Sequence, residues 1–320
     1  MDFNIRRGQN TWRFDPLDRD WTVVTKNRTP GLQQEGEDLV PVGDNPFVQN
    51  PFTLPILDDA HVSTESQEVR AVALPSPTPC LAIEDPPPVF QPFQAEGALG
   101  AHEIIAPLLP DLDAAQAALV SAGDLNSFQW EAIWHVMLKR LWALSNDRRF
   151  LQARVLFPAI SQRRLRHPHL HLLTLPLPTQ VGAKDACPAC ADLQHARDRG
   201  RVILEIGDFL AWIPFAPRRG LHVRIGNAKH THWMHDDNNH KDLTTLLQKC
   251  ALALQEIAGG TDVCVAGASI PLNNAERGHT QLDLFVPNDV DDVFQEIGLR
   301  VCSIDPSRLA QELRELLSLA

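Results

Sequence analysis

The chain has 320 residues, enough for one large domain or two ordinary ones, and its 44% hydrophobic and 22% charged content is that of a soluble globular protein. No apolar run reaches the roughly 18–20 residues that span a bilayer. The opening MDFNIRRGQNTWRF lacks the apolar stretch of a secretory signal, so a cytoplasmic protein without a membrane partner is expected. A net charge of −11 disfavours a nucleic acid polymer, but a small nucleotide needs only a local cationic pocket.

In chain order, the first hundred residues are proline-rich and irregular. Trp21–Thr25 (WTVVT) and Val69–Leu74 (VRAVAL) read as strands, the second closed by the prolines of 75–79. Glu84–Pro88 (EDPPP) cannot be regular structure, and Gly100–Ile105 (GAHEII) predicts a third strand. Ser127–Leu144 sets Trp130, Ile133, Trp134, Met137, Leu138, Leu141 and Trp142 at helical spacing behind a cap at Asn126 or Ser127. A strand at Ala153–Phe157, a turn-rich link and HPHLHLL from His167 follow. The pattern then recurs: helix Asp242–Ala258 stopped by Gly259 and Gly260, strand Asp262–Ala266, a link, and HTQLDLF from His279. A last helix, Ser307–Leu319, is capped by Asp305 with Pro306 in its first turn. The aromatic and leucine stripes of all three helices read as core.

This weak repeat aligns His167 with His279, His169 with Gln281 and His171 with Asp283. The fold class it predicts is α+β, with antiparallel sheets and packed helices. Residues 1–180 would form the half with the active strand, and 181–320 a degenerate copy that has lost the triplet, giving one working site per chain.

On one strand, His167, His169 and His171 would all project to the same face. Three imidazoles on one face gain little from burial, yet they suit phosphoryl chemistry. A neutral ring nitrogen attacks phosphorus while its neighbours donate to the non-bridging or leaving oxygens. Arg163, Arg164 and Arg166 just upstream can hold phosphate in forks. This reading needs the His169 nitrogen unprotonated and open to a pocket beside those guanidiniums. A surface His/Arg cluster and a fortuitous metal site are the plain alternatives.

Of the six cysteines, only Cys187 and Cys190 stand at ligand spacing; Cys80, Cys250, Cys264 and Cys302 read as buried thiols. A redox dithiol would sit after a strand at the mouth of a helix, whereas the surroundings of CPAC read as a loop between domains. A closed structural zinc, one per chain, is therefore expected, completed by His230 and His279, with His222, His232, His235 and His240 as competitors.

These residues together resemble the histidine triad superfamily, in the branch of galactose-1-phosphate uridylyltransferase and ADP-glucose phosphorylase. RFDPLDRDWTVVTKNRTP is similar to that branch's opening signature, GAHEIIAP to its G-x-H-E-V-I strand and HPHLH to its HPHxQ active strand. CPAC, RVILEIGDFLAWIPFAPRRGLHVRI, KH and HTQLDLFVP follow in the branch's order. The resemblance implies tandem histidine-triad-like halves and His169 as the nucleophile that becomes nucleotidylated. His167 would orient it or bind phosphate, Arg28 would be a nucleotide-binding arginine, and Cys187, Cys190, His230 and His279 a second-half zinc site. The chain also departs from the pattern. The first-half zinc cysteines are absent from TPGLQQEGEDLVPVG, the link before the triplet reads FPAISQRRLR with Arg164 near the serine position, and His171 replaces the branch's glutamine.

Three functions follow as expectations. The first is uridylyl or adenylyl transfer from a nucleotide sugar or other nucleoside diphosphate derivative to a sugar phosphate or phosphate. The second is hydrolysis by the same histidine, favoured by His171. The third is nucleotide binding without turnover. A homodimer is compatible with all three.

Overall fold

The computed structural model describes residues 11–15, 20–24, 47, 55–63, 68–76, 81, 89–91, 94–96, 100–163, 165–176, 187–229, 240–272, 281–287 and 302–319. The protein is α+β. Its strands are β1 (Thr11–Asp15), β2 (Asp20–Val24), β3 (Asp58–Ser63), β4 (Glu68–Pro75), β5 (Val89–Gln91), β6 (Gln94–Glu96), β7 (Ala101–Pro107), β8 (Gln152–Phe157), β9 (Leu170–Leu175), β10 (Val202–Ile206), β11 (Phe209–Trp212), β12 (His222–Asn227), β13 (Cys264–Pro271) and β14 (Gln281–Phe285). Its helices are α1 (Ala114–Ala118), α2 (Ser127–Ser145), α3 (Pro188–Asp198), α4 (His240–Ile257) and α5 (Pro306–Leu319).

Local chemistry explains the helix ends. Asn126 caps α2 in a capping box, its Oδ1 accepting from Gln129 N at 2.9 Å while Gln129 Oε1 accepts from Asn126 N at 2.9 Å. Asp113 and Gln116 repeat the device on α1. Asp305 Oδ1 accepts from the amides of Ser307 and Arg308 at the start of α5. The turn between β10 and β11 has two residues, Gly207 and Asp208, and Gly207 takes φ 57°, where a side chain would be strained.

A small sheet has the order β2-β1-β6-β5, and a ten-stranded antiparallel sheet runs β10-β11-β12-β14-β13-β8-β9-β7-β4-β3. In the large sheet, a hairpin, a strand, a helix and a strand pair occur twice, as β3-β4, β7, α2, β8-β9 and as β10-β11, β12, α4, β13-β14, meeting where β8 pairs with β13. One face packs on α2 and α4 through Ile105, Val155, Leu170, Leu172, Val223, Ile225, Leu282 and Leu284. The opposite face buries Val72, Leu74, Ile104, Ala106, Leu165 and Phe47. Farther along, that face carries Leu210 and Trp212 beneath Leu193 and Ala196 of α3.

Strand pairing puts residues in rows on this second face. One row reads Leu74, Ile104, His171, Leu156, Ala266, Asp283, Arg224, Trp212 and Val202, each opposite the next. A neighbouring row holds His102, Leu173 and Arg154 in the first half, and its counterpart holds His222, Phe285 and Cys264. By register, His102 corresponds to His222, His171 to Asp283 and Arg154 to Cys264.

The structure corrects the sequence reading in two places. The strand read as active begins at Leu170, so His167 and His169 precede it rather than alternate along it. CPAC is not a loop: Cys187 is the N-cap of α3 and Pro188 its first residue, a position that suits proline because no donor is lost there. Strands β1, β3, β5, β6 and β10–β12 and the helices α1 and α3 also add to the predicted elements. Glu84–Pro88 lies outside the described residues.

Candidate active site

β7 and β9 build the site between them. β7 is buried along its whole length, and Gly100 leads into it because a Cβ there would meet Thr174 O at 2.6 Å. On the helical side Glu103, 3% exposed, receives a two-pronged bond from Arg140 of α2, Nε to Oε2 at 2.9 Å and Nη2 to Oε1 at 2.7 Å. That bond raises the Arg140 pKa and ties β7 to the helix.

On the other face four histidines form a chain. His167 is fully buried, its ring stacked on Phe47 with centroids 4.7 Å apart and its Nε2 2.7 Å from Pro107 O. His169 Nδ1 lies 2.7 Å from His167 O, His169 Nε2 lies 3.2 Å from His171 Nε2, and His171 Nδ1 lies 3.0 Å from His102 Nε2. A carbonyl only accepts, so the proton of neutral His169 sits on Nδ1 and its Nε2 carries a lone pair. His171 then donates from Nε2 and accepts at Nδ1 from the Nε2–H of His102. Burial is the main cause that holds both buried rings neutral. It pushes His167 down to about 4, with Arg163 adding to the effect, and it sends His169 well below the usual imidazole value, with His171 and Arg163 pushing the same way.

The site differs from the expected pocket in two respects: His169 is closed off, and Arg163 is bonded to main-chain carbonyls. His169 is only 2% exposed, and the line from its Nε2 meets the His171 ring. His171 itself is half-buried.

The expected phosphate-binding arginines fare differently from one another. Arg163 donates from Nε to Pro158 O at 3.0 Å and from Nη1 to Val120 O at 2.6 Å, and it lies 5.0 Å above the Phe157 ring. Its Nη2 is buried without a hydrogen-bond partner, and burial lowers its pKa to about 10. Arg166 is exposed. Arg28 and Arg164 lie outside the described residues. The sequence reading gave no role to His102, to the Glu103–Arg140 pair or to Arg154, which is exposed on the face that carries His171.

Cys187 is 7% exposed and Cys190 half-buried on the first turn of α3. His230 and His279 lie outside the described residues, and so do the competitors His232 and His235. Among the described residues no three metal-ligating side chains converge on one point. His222 is engaged elsewhere, Nδ1 accepting from Arg218 N at 3.1 Å and Nε2 3.2 Å from Asp283 Oδ1. His240 begins α4, edge-on to His135 at 5.9 Å. A hollow of about 480 Å³ between α4 and α5 has Glu256, Glu312 and Glu315 in its wall, the wrong charge for a nucleotide. No described helix is long and apolar enough to cross a membrane.

No protein-family model and no curated protein matches the sequence. Solved structures do match. A uridylyltransferase superposes with a TM-score of 0.69 at 16% identity, over 97% of this chain and 99% of its own. The chain has the uridylyltransferase fold. An ADP-glucose phosphorylase from Arabidopsis thaliana, with ADP-glucose bound, shares it with a TM-score of 0.65 at 16% identity, over 96% of this chain and 98% of its own. A galt-like protein from the same plant shares it with a TM-score of 0.63 at 16% identity, over 84% and 91% of the two chains. Within the uridylyltransferase fold of this chain, the histidine chain lies on the sheet face away from α2 and α4.

Proposed function

We propose that this protein is a nucleotidyltransferase that carries a uridylyl or adenylyl group on His169 between a nucleoside diphosphate derivative and a phosphorylated acceptor. The observation that carries the reading is the bond from His169 Nδ1 to His167 O, which leaves Nε2 as the lone-pair nitrogen at every pH where the ring is neutral. The fold shared with a uridylyltransferase and an ADP-glucose phosphorylase supports it.

In the first step Nε2 forms a bond to the α-phosphorus as the bond to the leaving oxygen breaks. In the second, the acceptor oxygen attacks phosphorus and Nε2 regains its lone pair. A reacting phosphorus must come within about 3–3.5 Å of Nε2, where the His171 ring now lies. Turning that ring aside is therefore part of substrate binding. Its Nε2–H, freed from His169, can then donate to a non-bridging phosphate oxygen, while His102 holds its other nitrogen.

The decisive measurement is intact mass after incubation with a panel of nucleoside diphosphate sugars and dinucleoside polyphosphates. The expected result is one nucleotidyl increment, absent in His169→Asn. Two observations favour other readings. The bonded pair His171 and His102 could take a proton from water, which favours hydrolysis; an α-labelled nucleotidyl enzyme chased with water or with sugar phosphate separates that case. The 2% exposure of His169 favours binding without turnover. Nucleotide binding with no mass gain would establish that.

A structural zinc belongs to the same proposal. Cys187 is the N-cap of α3 and Cys190 lies three residues on, in its first turn. His230 follows β12 by three residues and His279 precedes β14 by two, and these strands pair at Gly226 and Gln281. This Cys₂His₂ set suits a tetrahedral zinc that would tie α3 to the sheet. Metal analysis should find one zinc per chain, lost in Cys187→Ser together with thermal stability. Two zincs, or none, would overturn it.

A further inference from the structure

We infer that Arg154 is a specificity-determining residue of this reaction, holding over Leu173 the phosphate that leaves in the first step and the one that enters in the second. This rests on the covalent-histidine reading and extends it to the substrate beyond the α-phosphorus.

His169 Nε2 lies 3.2 Å from His171 Nε2, and His171 stands on β9 two residues before Leu173 on the same face. In a displacement at phosphorus, the leaving oxygen lies roughly opposite the nucleophile. The leaving group must then lie farther along β9, past His171, and the next residue on that face is Leu173. Leu173 is half-buried, with His102 opposite it on β7 and Arg154 opposite it on β8. Adjacent strands lie about 4.8 Å apart, within easy reach of an arginine side chain.

Arg154 is exposed and makes no hydrogen bond or ion pair among the described residues. The alternation of β8 sends Ala153, Val155 and Phe157 into the helical core and Arg154 to the face of His171. Arg163, by contrast, already donates to two main-chain carbonyls.

The second half supplies an internal control. Its counterpart of Leu173 is Phe285, and the guanidinium of Arg219 lies 4.8 Å above that ring. The counterpart of Arg154 is Cys264, a buried thiol whose Sγ donates to Gln162 Oε1 and accepts from Ala159 N. Where the chain presents no histidine nucleophile, its own arginine covers the place. Beside the nucleophile, the place holds a half-buried leucine and an unpaired cation. A guanidinium there selects a phosphate-bearing partner over a neutral one or an amine.

The test uses the full chain with His169→Asn, which stops the covalent step, and measures binding of ADP-glucose, UDP-glucose, adenosine and uridine by calorimetry. Arg154→Ala should weaken whichever nucleotide sugar binds by tenfold or more and leave the nucleosides unchanged, and Arg154→Lys should recover part of the loss. Equal affinities for the nucleotide sugars with and without Arg154, or no binding of any probe, would overturn the assignment. In the otherwise wild-type chain, discharge of nucleotidyl-His169 by glucose 1-phosphate should show a raised KM with little change in kcat. If no adduct ever forms, the covalent reading fails, while the calorimetry still decides whether Arg154 holds phosphate.

Discussion

The two halves of the large sheet place similar strands in register and fill them with opposite chemistry. In the second half, Asp283 is held by Arg224, Nε to Oδ1 at 2.6 Å, and by contact with His222, and Arg224 also reaches Asp192 at 3.1 Å. Burial works to raise the Asp283 carboxyl, but His222 and Arg224 outweigh it and hold it well below the usual carboxylate range. Each charge there meets an opposite one within the network. In the first half the same rows hold His102, His171 and the exposed Arg154, and the two rings continue through hydrogen bonds to His169 Nε2. A closed ion network fixes structure, whereas a chain of rings that ends on a lone pair leaves an atom for chemistry.

The largest test of this contrast is His169→Asn against Gln281→Asn at the matching place. The first should lower turnover by about 10⁴ or more and abolish the mass increment, and the second should do neither. Wild-type turnover in His169→Asn would end the covalent mechanism.

Next in size is the brace beneath the site. Glu103 corresponds to Val223, so the first half has an ion pair with Arg140 where the second has apolar packing. Glu103→Gln should cost about 3 kcal/mol by removing the charged partner of the half-buried Arg140. Glu103→Val with Arg140→Leu should regain most of it in denaturant titrations. A double variant as unstable as the single one would show that the pair does more than brace β7.

The halves should also lose stability in different pH ranges. His167 has a folded pKa of about 4 against an ordinary 6.5, so the unfolded chain takes its proton first. Stability is then fully present above about pH 6.5 and falls as pH drops toward 4, by roughly 3 kcal/mol at most. The depressed carboxyl of Asp283 keeps its contribution above its ordinary value of 3.8 and loses it only below that. Denaturation at stepped pH should show His167→Gln making the loss in the upper range less steep, with buried His169 supplying the rest, and leaving the lower range unchanged. The smallest effect expected is Asp283→Asn, a loss of about 2 kcal/mol with the nucleotidyl adduct intact. Loss of the adduct would mean that the second half takes part in the chemistry.

Much of the fold was legible because helices announce themselves locally. The stripe from Trp130 to Leu141 and the Asn126 cap depend on neighbours three and four residues away, whereas Trp142, read as core, is 67% exposed. The α3 helix was missed because the surroundings of CPAC read as a loop between domains, although proline is at home in a first turn. Strands β10–β12 lack clear alternation since this sheet is covered on parts of both faces, as the buried run Phe209–Trp212 shows. In the site, the triplet pointed to His169, but direction and neighbours came only with tertiary pairing. The partner of His171 comes from 69 residues away, and Arg154 stands beside Leu173 only because β8 and β9 are adjacent. One clue was present from the start: Gly100-x-His102 and Gly220-x-His222 repeat a short pattern ahead of matching strands.

The seam between β8 and β13 has a practical consequence. It is the sole strand pairing joining the halves of the large sheet among the described residues, and its register shifts between Gly267 and Ile270. Cutting the chain near residue 180 would uncover two long, mostly apolar edges with their amides bare. Each fragment would then stick to copies of itself, so anyone dividing this protein for study should expect precipitate rather than two tidy modules.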